Sequence, residues 1–311
     1  MSVTALPRYR ASVYFEKIGT AIYADAHFSI HKAKALRTVE NQIVAGKIYL
    51  IKTFQVSGNE DLAAPYFENL DRVHSRLSAN DNYFYSRLAR PLAVVTDKND
   101  ESRGYVMRNF YPITNYKLTG VEGQRTRLQD FKIFLNSVDE RKRLGTPMLS
   151  MANYFDLVSD LLRLVSLIHA TGLVIGDISH TNVLVQLPKG GREKARAILL
   201  DVDSFTIDGS SHPLGLQTSP LYRSPEETLS DADRVGFSSD IYKIALLVIR
   251  LMSQLTGGQK PSFDLCTMAQ CAKVIEKFGG AELVNQIKAC LNHDHKERPT
   301  AAVLERVWRQ K

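Results

Sequence analysis

Two acids and an amide set among apolar runs constrain this chain more than any other feature. Ile175-Gly176-Asp177-Ile178-Ser179-His180-Thr181-Asn182 leads into the strand-like Val183-Leu184-Val185, and a second apolar run ends in Leu199-Leu200-Asp201-Val202-Asp203. Such groups are costly between buried strands unless they have a partner or a task. Asp177 suits orientation of a hydroxyl, and Asn182 with Asp201 offers the hard oxygen donors that magnesium takes, a set used in metal-assisted phosphoryl transfer. The competing reading is a pair of Asp and Asn turns at strand ends.

The chain around this segment is long enough for two lobes and a substantial core, with 311 residues, 44% hydrophobic and 23% charged. Its formal charge of +7 is scattered. The local basic concentrations, Arg141-Lys142-Arg143 and residues 189–196, read as solvated loops or helix ends, so no specific nucleic-acid partner is expected. Cys266, Cys271 and Cys290 are odd in number and lack C-x-x-C spacing, which points to ordinary buried thiols in a reducing, cytoplasmic setting. Residues 1–12 carry no apolar signal core. The most apolar run, 244–252, is interrupted by Arg250 and is too short to span a bilayer, so no membrane partner is expected.

The first third is strand-rich. Residues 11–18, 28–36 and 47–54 have β-branched and aromatic character. A helix is predicted with Pro65 in its first turn and Phe67, Leu70, Val73 and Leu77 at helical spacing. Residues 88–96 and 104–110, joined by the polar turn 97–102, predict an antiparallel hairpin. A polar, basic stretch over 120–150 then precedes an amphipathic helix over 152–170, with Phe155, Val158, Leu161, Leu162, Val165 and Ile168 on its buried stripe. An exposed hairpin turn is predicted over 186–197, a deeply buried helix over 240–255, and two or three helices at the end.

The order of these elements and motifs resembles the protein kinase superfamily. Asp177 and Asn182 have the spacing of H-R-D-x-x-x-x-N, and Asp201 stands where D-F-G has its aspartate. Tyr49-Leu50-Ile51-Lys52 resembles V-A-I-K. The segment from Ser219 through Pro225-Glu226 resembles T-x-x-Y-x-A-P-E. Ser239-Asp240-Ile241-Tyr242 resembles S-D-x-[WY], and Arg298-Pro299-Thr300 resembles R-P-T. The resemblance implies an α+β, bilobal fold over residues 1–311: a small, mainly antiparallel β lobe with one helix over 1–109, and a larger helical lobe over 110–311.

It also implies roles. Lys52 contacts the α- and β-phosphates of ATP, and Glu68 holds its ammonium. Asp177 orients the acceptor hydroxyl, and Ser219 contacts Asp177 in a Ser/Thr-specific manner. Asn182 and Asp201 hold Mg2+, while Asp203 is an extra ligand or only shapes the loop. Met107 is the gatekeeper, with Arg108 and Asn109 presenting backbone to adenine, and Gly19 belongs to the phosphate-covering loop. Glu226 and Arg298 form a buried ion pair.

Three departures stand out. The Ile18-Gly19-Thr20-Ala21-Ile22-Tyr23 loop keeps one glycine where the family has three. Gly176 precedes Asp177 in place of arginine, which implies a site that needs no activation-loop phosphate, and Ser179 replaces a lysine. Asp201-Val202-Asp203-Ser204-Phe205 replaces D-F-G and resembles a bacterial branch of kinase-like proteins. The expected function is atypical Ser/Thr phosphorylation of a protein substrate, or autophosphorylation. The alternatives are a pseudokinase scaffold and a small-molecule kinase. Thr206, Ser210 and Ser211 are candidate phosphorylation positions.

Overall fold

A computed structural model describes residues 5–25, 27–39, 42–54, 60–78, 81–117, 126–188, 194–215, 218–228, 236–253 and 268–310. The chain is α+β and forms two compact units. The first comprises Met1–Phe110 with Asp201–Asp203 and His212–Gly215, and the second comprises Tyr111–Leu200, Ser204–Ser211 and Leu216–Lys311.

The first unit holds β1 (Arg8–Arg10), α1 (Ala11–Tyr14), β2 (Phe15–Ala24), β3 (Phe28–Ala35), β4 (Ile48–Phe54), α2 (Glu60–Leu77), α3 (Asp81–Tyr85), β5 (Pro91–Thr96) and β6 (Ser102–Arg108). Its six-stranded sheet runs β1-β5-β6-β4-β3-β2. All pairings are antiparallel except β1 with β5. Alternation along β4 separates its two faces. Tyr49 and Ile51 join Phe15, Ala33, Leu92 and Val106 in a core cluster, while Leu50, Lys52 and Phe54 share the other face.

Several expectations for this unit need correction. Residues 11–14 form a helical turn, and the first long strand begins at Phe15. Among the described residues three α-helices are present in place of the one expected. Helix α2 begins at Glu60 and runs through Pro65 instead of starting there.

The second unit holds β7 (Asn115–Lys117), β8 (Thr126–Leu128), α4 (Phe131–Phe134), α5 (Val138–Leu144), α6 (Met151–Ala170), β9 (Leu173–Val174), β10 (Val183–Gln186), β11 (Arg196–Leu199), β12 (Thr206–Ile207), α7 (Phe237–Ser253), α8 (Met268–Cys290, broken at Gly280) and α9 (Ala301–Arg309). Helix α6 starts where the Ser150 hydroxyl accepts from the Asn153 amide, and it buries Leu161, Leu162, Val165 and Ile168 as its periodicity predicts. Phe155 is only half-buried and lies 5.3 Å from the Trp308 ring. Strands β10 and β11 pair antiparallel. The turn residues 189–193 between them lie outside the described residues, as do 118–125, residues 254–255 of the expected buried helix, Cys266 and the side chain of Cys271.

Arg141 departs from the expected solvated position. It is buried on α5, where Nη1 donates to the Tyr154 hydroxyl at 2.7 Å. Cys290 is buried, and that burial pushes its thiol up to about 12. Among the described residues no helix is long and apolar enough to cross a membrane.

Candidate active site

In the first unit the sheet delivers Lys52 to two acids remote in sequence. Cross-strand register pairs Lys52 with Tyr105 and Leu50 with Met107, so these four side chains share one face of the sheet. Lys52 Nζ lies 4.4 Å from the Phe28 ring centroid. It donates to Asp203 Oδ2 at 2.8 Å and to Asp201 Oδ1 at 3.4 Å. Burial alone would lower its pKa, but Asp203 and then Asp201 raise it above the ordinary value.

Asp203 is enclosed by donors. Its Oδ1 accepts from the Tyr105 hydroxyl at 2.8 Å, its Oδ2 accepts from the Tyr66 hydroxyl at 2.9 Å as well as from Lys52, and its backbone carbonyl lies 2.8 Å from His212 Nε2. Burial opposes its ionisation, yet Lys52, Tyr105 and Tyr66 hold its carboxyl below the ordinary range. Both tyrosine hydroxyls are raised, first by burial and then by the Asp203 charge. Asp203 therefore does not fit as a metal ligand.

Asp201 does fit, because its side chain stays 40% exposed. It adopts φ +48°, a left-handed conformation costing roughly 1–2 kcal/mol for a non-glycine residue. Partial loss of water raises its pKa, Lys52 opposes the rise, and the like charge of Asp203 adds to it.

Glu68 is not at this cluster. Its carboxylate pairs with Arg72 on the outer face of α2 and is 64% exposed. Two residues turn a helix by about 200°, and Tyr66 is the inward residue. Tyr66 is buried beside Phe67, Leu70, Val73 and Leu77, so the apolar stripe of α2 is one residue wider than its sequence spacing predicts.

Gly19 has φ +69° and open space around it. The pairing of β2 with β3 jumps from Ile18 opposite Lys32 to Tyr23 opposite Ile30, so residues 19–22 bulge opposite His31. In the following turn Asp25 Oδ1 accepts from the amides of His27 and Phe28 at 2.8 and 2.7 Å. Met107 is buried in β6. Arg108 donates to the Tyr85 carbonyl at 3.3 Å and lies over the Tyr85 and Phe110 rings, and Asn109 follows at the end of the strand.

In the second unit, Asp177 Oδ2 accepts from Asn182 Nδ2 at 2.7 Å, and Oδ1 accepts from the Ser219 backbone amide at 3.2 Å. The Ser219 contact is thus made by its amide and not by its hydroxyl, which corrects the expectation. Asn182 Nδ2 also donates to the Asp177 carbonyl. With Nδ2 engaged in both bonds, the side-chain oxygen of Asn182 is the atom that a magnesium ion would take. The Asn182 carbonyl accepts from Leu200, the residue before Asp201.

The loop is fixed from beneath by α7. Fully buried Asp240 accepts from the Ile175 and Gly176 amides at 2.8 and 3.0 Å and meets His169 Nε2 at 3.0 Å. Gly176 has φ +79°, and a Cβ there would lie 3.2 Å from the Ser204 carbonyl. The arginine of the family pattern would therefore be strained in this backbone. Lys243, also on α7, donates to the Gly176 carbonyl, to Thr218 Oγ1 at 3.0 Å and to Glu227, with both charged side chains fully buried. Ser179 is buried against Thr181.

The Glu226–Arg298 pair is bidentate, at 2.7 and 2.8 Å. Burial opposes ionisation of Glu226, but Arg298 foremost brings its carboxyl to about 2. Thr206 is buried in β12, whereas Ser210 and Ser211 are exposed.

Sequence reasoning passes over Tyr66, Tyr105, Lys243 and Glu227. For Lys243 a signal is present, since a lysine beside the run Ile244-Ala245-Leu246-Leu247 of a buried helix requires a buried acid. Comparison with protein-family models finds no match to this sequence, and comparison with curated proteins finds none either.

Proposed function

We propose that the chain is an ATP- and magnesium-dependent protein kinase of atypical type, in a bilobal kinase-like fold, acting in the cytoplasm on Ser or Thr hydroxyls of a protein substrate or of itself. One observation carries this reading: Lys52 and Asp201, 149 residues apart in sequence, meet at 3.4 Å, a cation beside a hard oxygen donor. In this reading Lys52 neutralises the α- and β-phosphates, and Asp201 and Asn182 hold magnesium, which when bound supplies charge neutralisation on the phosphate oxygens. Asp177, with its carboxylate oriented by Asn182 and Ser219, accepts the hydrogen bond of the acceptor hydroxyl and aims it. The Pro225-Glu226, Asp240 and Arg298 set favours a peptide acceptor over a small alcohol.

A nucleotide-binding scaffold without transfer is favoured by a different observation. The bulge at residues 19–22 carries Gly19 as its single glycine, so fewer backbone amides can approach the phosphates closely enough to hold them for transfer. Calorimetric titration with ATP, with and without magnesium, separates the readings when combined with a label-transfer assay on protein and on small alcohols. The kinase reading expects magnesium-strengthened binding that is lost in Lys52→Met and Asp201→Asn, together with label on protein. Binding without transfer to any acceptor supports the scaffold, label on an alcohol alone supports a small-molecule kinase, and absence of ATP binding overturns all three.

A further inference from the structure

We propose that Asp203 is the positioning residue for Lys52, and that helix α2 steadies the lysine through the Tyr66 hydroxyl on Asp203 instead of through Glu68. The inference deepens the proposed function and rests on Lys52 being the phosphate-binding group.

Three elements converge on the one carboxylate. Strand β4 brings Lys52 to Oδ2 at 2.8 Å, α2 brings Tyr66 to the same oxygen at 2.9 Å, and β6 brings Tyr105 to Oδ1 at 2.8 Å. The side chains of Lys52 and Asp203 are 9% and 5% exposed. Tyr66 is enclosed by Phe28 and Phe54, with ring centroids 5.4 and 5.3 Å away. Water is excluded from these contacts, so each hydrogen bond acts in a medium that weakens it little.

The two acids of Asp201-Val202-Asp203 thereby divide their tasks. Asp203 commits its oxygens inside the protein to the lysine and the two hydroxyls. Asp201 meets Lys52 at the longer 3.4 Å and its side chain is 40% exposed, which in the proposed function suits it to a cation. Glu68 takes no part, because its carboxylate is engaged with Arg72 on the outer face of the helix. A direct lysine–glutamate pair would break if α2 shifted outward. Here such a shift withdraws one hydroxyl from Asp203 and leaves the Lys52–Asp203 contact in place, so Lys52 depends only partly on the helix.

The test is the reactivity of Lys52 toward a small amine-acylating reagent at pH 8, read by peptide mass spectrometry on the full chain and referenced to exposed Lys98 in the same digest. The hydrogen bond to Asp203 holds the amine inside the protein and away from the reagent, so loss of that partner frees Lys52 and speeds acylation. Asp203→Asn is expected to raise the relative rate about tenfold, as loss of one charge-assisted hydrogen bond allows, and Glu68→Gln to leave it unchanged. A second readout is the ATP dependence of transfer. Tyr66→Phe, which keeps the ring, is expected to raise KM for ATP about tenfold through loss of one charge-assisted hydrogen bond, with kcat changed far less.

An equal acceleration in Glu68→Gln, or none in Asp203→Asn, would overturn the proposal. If Asp203→Asn does not fold, Tyr66→Phe against Glu68→Gln decides it, and an unchanged KM in the former would overturn it. A parent protein that neither binds nor uses ATP, but shows the expected Lys52 reactivities, refutes the kinase reading while the lysine–Asp203 pairing stands.

Discussion

Gly176 sits one residue before Asp177 with φ +79°, and its amide is held by Asp240. Any side chain there must adopt a left-handed conformation and crowd the Ser204 carbonyl, which lies 3.2 Å from where a Cβ would stand. Gly176→Ala is therefore expected to cost about 1–2 kcal/mol in a urea titration. Lys243 and Glu227 make a sharper case, because both charges are fully buried. Glu227→Gln leaves an ammonium with only neutral acceptors, and Lys243→Met leaves a buried carboxylate with only the neutral donors of Thr218 and Ser224, each costing about 3–5 kcal/mol. The double variant should be markedly more stable than the two single losses add up to, as measured by a double-mutant cycle of denaturation free energies. Additive losses would mean that the two groups do not act as a pair.

Among the elements, α6 was legible because one-sided burial imposes a period that the sequence must write, and α7 and the β5–β6 hairpin because their apolar runs are buried, the hairpin's two strands being split by a polar turn. The register of α2 was not. Pro65 marks a helix start in isolation, but the chain carries the helix through it, and the inward position falls on Tyr66 instead of Glu68. Which acid neutralises a buried lysine is decided by tertiary approach across 151 residues, and local spacing holds no record of that. The Glu226–Arg298 pair was legible through its motifs, since two buried opposite charges must satisfy each other. Arg298→Ala is expected to destabilise the protein by about 3 kcal/mol or more and lower its thermal midpoint. Strand β6 carries a comparable constraint at Gly104, where a Cβ would fall 2.3 Å from the Lys52 carbonyl. Gly104→Ala should therefore push β6 from β4 at the lysine and lower stability and, in the kinase reading, weaken ATP binding.

Across the whole molecule, His180 and Glu226 are two of the groups that make stability respond to acid. Burial, then the charges of Lys132 and Arg250, lowers His180 from 6.5 to about 4. The unfolded chain then takes up a proton that the folded one refuses. Its contribution is complete above pH 6.5 and is lost as pH falls toward 4. Glu226, held at about 2 against an ordinary 4.5, contributes fully above 4.5 and loses that contribution as pH falls toward 2. Denaturation midpoints should decline below pH 6.5 and again above about 9, where the Cys290 thiol ionises first in the unfolded chain, and His180→Gln should flatten the upper part of the acid decline. The reading of the chain as a whole as a kinase depends on Asp177 more than on any other residue. The most direct measurement is transfer of label from γ-labelled ATP with magnesium to protein hydroxyls, by the parent and by Asp177→Asn, with ATP binding measured on both. The account predicts label on Ser or Thr that disappears in Asp177→Asn while ATP still binds, and equal label in both proteins would contradict it.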